Sequence, residues 1–304
     1  MTQRKLHIAD LLLLTVVVIW GMNFAVMKLA YRSFHPIPFN AVRFVISSLA
    51  MIALITFERP KVRIVRQDLK SILWLGFTVN TLYQFLFVLG LERTKAGNAG
   101  LILAMVPIFA FLIGVFTKRE SFSRTVVGGI FLSLFGVAAI VGFSSAGLSL
   151  SGTWRGDLMM LAAALVWGWY SARSIPLLMK YGWLPITAWT MIAGTVLLVP
   201  LSVPWLLTQD WSGIDRSAWL ALLYSGLLSI VYAYCVWAYA LVNIGVTHTS
   251  MFSNVTPIIA LAGGWFLLGE QPSIAQLAGV VLVLTGVFLV RSKRPAGATA
   301  RGLP

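Results

Sequence analysis

Ten stretches of about twenty mostly apolar residues follow one another along this chain, separated only by short polar gaps. They run over 9–30, 37–57, 69–91, 96–117, 125–143, 156–176, 184–207, 217–241, 246–268 and 273–291. At about 1.5 Å per residue, each is long enough to cross the ~30 Å hydrocarbon core of a bilayer as an α-helix. Lipid offers no partners for backbone N–H and C=O groups, so spanning runs of this kind must satisfy those groups internally. The expected fold class is therefore an all-α membrane protein with ten transmembrane helices. Composition agrees. Of 304 residues, 59% are hydrophobic and only 11% are charged, less than half of the ~25% usual in water-soluble domains. The start, MTQRKLHIAD, resembles the charged head of a signal peptide. However, the stretch from Leu11 to Ala30 is too long for a signal core and has no small-x-small cleavage site, so it reads as a retained first span.

The net charge is +14, which by itself would suggest nucleic acid. The basic residues instead occupy the gaps between apolar runs and form no face or tail, so nucleic acid is excluded as a partner and membrane lipid takes its place. With the N-terminus inside, sixteen Lys and Arg fall on the inner side and six on the outer, and Arg43 is left within a span. Positive charge marks cytoplasmic loops. The expected localisation is the cell (inner) membrane, multi-pass, with both termini cytoplasmic. The tail 292–304 is small, polar and basic, and is expected to be disordered. Cys235 is the only cysteine. It allows no intrachain disulfide and reads as a small buried residue in an apolar run.

The chain repeats itself. A shift of 150 residues brings Pro107 onto Pro257, Glu120 onto Glu270, Gly129 onto Gly279 and Gly136 onto Gly286. GGIFLSLFGV in the fifth span matches AGVVLVLTGV in the tenth, and Gly76 meets Gly226. Two Trp-Gly pairs, Trp20-Gly21 and Trp167-Gly168, align with a slip of three residues. The expected repeats are 1–150 and 151–291. Each holds five spans, and an odd number forces the second half to run opposite to the first. Inverted repeats of this kind typify secondary transporters, whose substrate site lies near the midplane between the halves.

The motifs VIWGMNF (with VWGWYS in the second half), AVRFVI and LLGEQPSIAQLAGVVLVLTGV resemble the drug/metabolite transporter superfamily in its EamA-type branch. The first-half counterpart, KRESFSRTVVGGIFLSLFGV, departs from the pattern by placing Arg119 where the second half has Gly269. The resemblance covers nearly the whole chain. It implies two five-helix halves, no cofactor, and export of amino acids, related metabolites or drugs.

Several residues are candidates for the substrate site. Trp20 and Trp167 each lie ten residues after an aspartate, Asp10 and Asp157, which puts both near the midplane. Membrane tryptophans normally sit at the interface; at the midplane an indole N–H needs a partner. Asn23, Asn80, Tyr83 and Gln84 lie at similar depth, as do Tyr170, Tyr232, Tyr234 and Trp237, and Asn98 and His248 are nearby. Lipid-facing amides are costly, so these should point inward. Packing of large against small residues is the alternative reading for the Trp-Gly pairs. Gly21, Pro107, Gly168 and Pro257 are the candidate hinges for gating. Each proline lies eleven residues into its span and should free a carbonyl, that of Leu103 or Ser253. Gly129, Gly136, Gly279 and Gly286 are spaced to pack the fifth and tenth spans closely, with each other or across a homodimer.

Some absences also bear on function. No span carries an Asp or Glu at mid-depth, so the carboxylates of a buried proton relay are not visible. Glu92, Glu120 and Glu270 sit at span ends. Arg43 can reach the outer interface, a backbone carbonyl or a substrate carboxylate. The histidines, His7, His35 and His248, are too scattered for a metal site. There is no Walker A sequence for ATP-driven pumping and no nucleophile-base set for an enzyme. The expected function is secondary export of small metabolites, amino acids first, with multidrug export as the alternative.

Overall fold

The computed structural model describes residues 2–58, 62–94, 99, 102–117, 123–142, 154–259, 262 and 273–292. Among these residues the regular structure is helical and no strand occurs. The helices are α1 (Thr2–Ala30), α2 (Pro36–Phe57), α3 (Arg66–Arg93), α4 (Val106–Phe116), α5 (Arg124–Gly142), α6 (Trp154–Tyr181), α7 (Trp183–Thr208), α8 (Arg216–Ile244), α9 (Val246–Met251) and α10 (Ile274–Ser292). Of these, α2, α3, α7 and α8 are each long and apolar enough to cross a membrane. The helix ends follow local chemistry. His35 caps α2, its Nδ1 accepting from Ile37 N–H at 3.3 Å, and Pro36 fills the first position, where a missing N–H costs nothing. Gly182 and Gly245, at φ 90° and 82°, make the left-handed turns into α7 and α9 that a side chain would resist.

The bundle is apolar outside, and its largely apolar interior also holds a set of polar side chains. Phe57, Phe116 and Ile274 are more than 80% exposed, whereas Asn40, Arg43, Ser47, Asn80, Thr81, Gln84 and Ser225 are all buried. Large apolar side chains exposed over so much of the surface suit lipid, and the polar ones are turned away from it.

Helix partners cross between the two halves of the chain. α1 packs on α8 and α3 on α6, α2 packs on α7, and α5 packs on α10. In the α5–α10 seam the four glycines touch the opposing backbone. A Cβ at Gly136 would lie 2.5 Å from Gly279 O, and one at Gly286 would lie 2.5 Å from Gly129 O. Gly129 therefore meets the end of α10 and Gly136 its beginning, so the two helices run antiparallel. This seam is filled from within one chain.

Two features of the fold are not visible in the periodicity. First, α3 and α8 each widen into a π-helical stretch, at Phe77–Leu82 and Tyr224–Tyr232. Such widening inside an α-helix frequently marks a functional position. Second, the two prolines do not kink continuous helices. Pro107 is the second residue of α4, after a turn at Ala104–Met105, and Pro257 follows the 3-10 turn Phe252–Val255. Proline lacks an N–H, so it is more readily placed at a helix start than within one. The Ser253 carbonyl is accordingly not free: it accepts the Thr256 N–H.

Candidate substrate site

An aromatic cluster forms where α1, α3, α6 and α8 converge. Trp167 of α6 is at its centre. Its ring centroid lies 5.0 Å from Tyr83, 5.1 Å from Tyr234, 5.6 Å from Trp237, 5.7 Å from Trp20 and 6.0 Å from Tyr170. Trp20 also meets Trp237 at 5.2 Å. These edge-on and tilted contacts are favourable ring geometries. Each half of the chain thus contributes to one assembly.

Two of the indole N–H groups have partners in the protein. Trp20 Nε1–H donates to the Ser229 carbonyl at 2.9 Å, within the π-helical stretch of α8. Trp237 Nε1–H donates to Ser171 Oγ at 3.2 Å. The glycines beside the two tryptophans seat neighbouring segments. A Cβ at Gly21 would lie 2.9 Å from the Ile259 side chain and 3.3 Å from Thr256 O, just after the 3-10 turn. A Cβ at Gly168 would lie 3.0 Å from Ala110 N and from Phe109 Cβ in α4. Each Trp-Gly pair thus puts its indole into the cluster and its glycine against the segment that carries a proline in the other half.

A hydrogen-bonded chain leads from the cluster to Arg43. Tyr234 OH accepts from Gln84 Nε2 at 2.9 Å, and Gln84 Oε1 accepts from Arg43 at 3.0 Å. Arg43 also donates to Ser225 Oγ at 2.8 Å, Asn40 Oδ1 at 2.5 Å and the Met27 sulfur at 3.5 Å. Asn23 donates to the same sulfur at 3.1 Å. With 2% exposure, Arg43 does not reach the interface. Chemically, the assembly offers ring faces for an apolar group or an ammonium, and beside them amides and a guanidinium for a polar head.

The remaining candidates are placed elsewhere. Tyr232 points away from the cluster, its OH paired with Thr15 Oγ1 at 2.7 Å on the α1–α8 contact. His248 Nε2 bonds the Val290 carbonyl at 3.0 Å, where α9 meets α10. Asn80 is buried against α7 in the π-helical stretch of α3, and the Asn80 Cβ leaves no room for a side chain at Gly194. Asn98, Glu120 and Glu270 lie outside the described residues. Position along a helix indicates depth but not facing, which is why Tyr232 and Tyr234 part company.

Polar contacts and ring contacts hold the two ends of the bundle. At the end bearing 62–65, Asp68 accepts from Lys180 Nζ and from Tyr181 OH, both at 2.6 Å, joining α3 to α6. At the opposite end Phe34 packs on Phe39, Trp211 and Trp219, and Gln209 bridges to His35 N–H and Ser33 O. The Asp68–Lys180 pair is half-exposed on the Lys180 side, and solvent screening leaves such pairs little net stabilisation. Asp68→Asn is therefore expected to leave the melting temperature in detergent nearly unchanged. A clear fall would make the pair a support of the fold.

Comparison with known proteins agrees with this architecture. Residues 7–142 and 154–292 each match the profile of the EamA-like transporter family. A Salmonella typhimurium protein described as a "probable amino-acid metabolite efflux pump" is 28% identical over 286 residues, covering 91% of this chain and 93% of its own. A Streptantibioticus cattleyicolor "probable terminal-alkyne amino-acid exporter" is 27% identical over 292 residues, covering 95% of each. The Bacillus subtilis "uncharacterized transporter YoaV" is 26% identical over 277 residues, covering 91% of this chain and 94% of its own. A solved crystal structure with 20% identity superposes with a TM-score of 0.77, covering 94% of this chain and 97% of its own, and so shares the fold. With matches to both halves, the chain belongs to the EamA-like transporter family, a family of multi-pass membrane transporters.

Proposed function

We propose that this protein is a secondary transporter of the cell (inner) membrane that exports small metabolites, most readily amino acids or their derivatives. Two inverted five-helix repeats, 1–150 and 151–291, rock about a midplane site between them and expose it to each side in turn. The observation that carries the reading is the aromatic cluster, with Trp20 and Tyr83 from one half and Trp167, Tyr234 and Trp237 from the other. A site shared by both halves changes its access when one half moves against the other. The helix pairing adds support: exchanging the halves turns the α1–α8 contact into the α6–α3 contact and leaves α2–α7 and α5–α10 unchanged. The excess of Lys and Arg in alternate gaps supports cytoplasmic termini. The names given to the relatives from Salmonella and Streptantibioticus support amino acids as the first class to test.

The test is flux in proteoliposomes containing the purified protein, with labelled amino acids and a cationic dye, with and without a pH gradient. Saturable amino-acid flux is the expected result, and its response to the gradient reports proton coupling. Dye flux alone would move the assignment to multidrug export, and flux of neither would reject transport of both classes.

A further inference from the structure

Among the described residues, Arg43 is a buried cation without an anion. Its four hydrogen-bond acceptors, on Ser225, Asn40, Gln84 and Met27, are all neutral. Among the described residues no Asp or Glu pairs with it, and its Nε–H has no acceptor at all. The rings of Phe39 and Phe44 lie 5.6 and 5.7 Å from the guanidinium carbon, a partial compensation. Two neighbours are also incomplete. The Tyr31 hydroxyl is buried without a partner, on a ring packed edge-on against the same Phe39 at 5.4 Å. Asn23 Oδ1 is buried without a partner too, while its amide shares the Met27 sulfur with Arg43. Buried polar groups normally find partners. Here a positive charge, a hydroxyl and an amide oxygen are left over together, one hydrogen-bonded residue away from the aromatic cluster.

We propose that Arg43 is the receptor for a carboxylate on the transported solute, with Tyr31 as a second donor and Asn23 Oδ1 as acceptor for the solute's ammonium. The solute class is then a small carboxylate, zwitterionic or anionic, with an apolar part that lies against the tryptophans. A carboxylate complements a guanidinium through charge-assisted hydrogen bonds, and a buried charge without a counter-charge is costly. The inference rests on the transporter reading above.

The experiment is competition for flux in proteoliposomes by amino acids and their matched amides, together with the thermal shift each gives the purified protein in detergent. The wild type is expected to prefer the carboxylate over the amide by at least about tenfold. Arg43→Gln should erase the preference even where it still folds and inserts, and Arg43→Lys should keep part of it. Equal competition by amides in the wild type would overturn the proposal, and this comparison needs no variant to fold. A preference that survives in Arg43→Gln would overturn it too. Dye flux with no stabilisation by any carboxylate would reject the Arg43 site and leave transport standing. Absence of all flux would reject transport of these solutes, yet stabilisation by carboxylates in the wild type and not in Arg43→Gln would still support the site.

Discussion

Trp167→Ala is expected to lower solute flux by at least about tenfold, the factor that corresponds to about 1.4 kcal/mol of lost binding. Trp167 touches five other rings of the cluster, and each aromatic pair contributes about 0.5–1.5 kcal/mol beyond its burial. The same contacts hold the fold, so the variant should also lose about 3–5 kcal/mol of stability, as large-to-small core changes do. Trp167→Phe separates the two effects: it keeps a ring in place and should recover most of the stability. Trp20 is only partly buried, so Trp20→Ala should impair flux with a smaller loss of stability and with normal membrane insertion. Full flux in both alanine variants would make the tryptophans packing residues.

Gly286→Leu is expected to give the largest loss of folded protein. Its first added atom would lie 2.5 Å from Gly129 O and 2.7 Å from Ser133 N. Both are backbone atoms of α5 and cannot rotate aside. Overpacking of this kind costs about 1–3 kcal/mol even where side chains can give, and here the whole seam must part. Gly128→Leu is the matched control, because a Cβ there meets nothing within 4 Å. Folded yield and melting temperature in detergent should fall for the first and hold for the second. Equal behaviour of the two would mean that the seam is not a rigid contact.

The helical architecture is legible in the sequence because lipid imposes a one-dimensional rule: each crossing needs a long apolar run, and the gaps announce themselves by charge. The α5–α10 seam is legible for a related reason. Two glycines seven residues apart share a helix face, and the same spacing recurs 150 residues on. The common level of Trp20 and Trp167 follows from counting, but the meeting of their rings requires the helices to be turned toward one another, which depth does not encode. That is where Tyr232 and His248 separate from the cluster. The π-helical stretches leave no periodic trace, since they alter hydrogen-bond partners without altering composition. Arg43 stands out in the sequence as a charge inside a span. Its partners are farther away: Gln84 is 41 residues along the chain and Ser225 is 182 residues along, and only the folded chain brings them to it.

The most direct test of a two-sided site in the aromatic cluster is cysteine accessibility. Cys235 is the only cysteine and is buried, so a Cys235→Ala background frees the chain for one probe. Ser171→Cys places that probe where Ser171 accepts the Trp237 indole, fully buried within the cluster. Membrane-impermeant thiol reagents are expected to modify it from either side of the membrane, and a transported amino acid is expected to slow both reactions. Modification from one side only, or rates that the solute leaves unchanged, would contradict a site that opens to each side in turn.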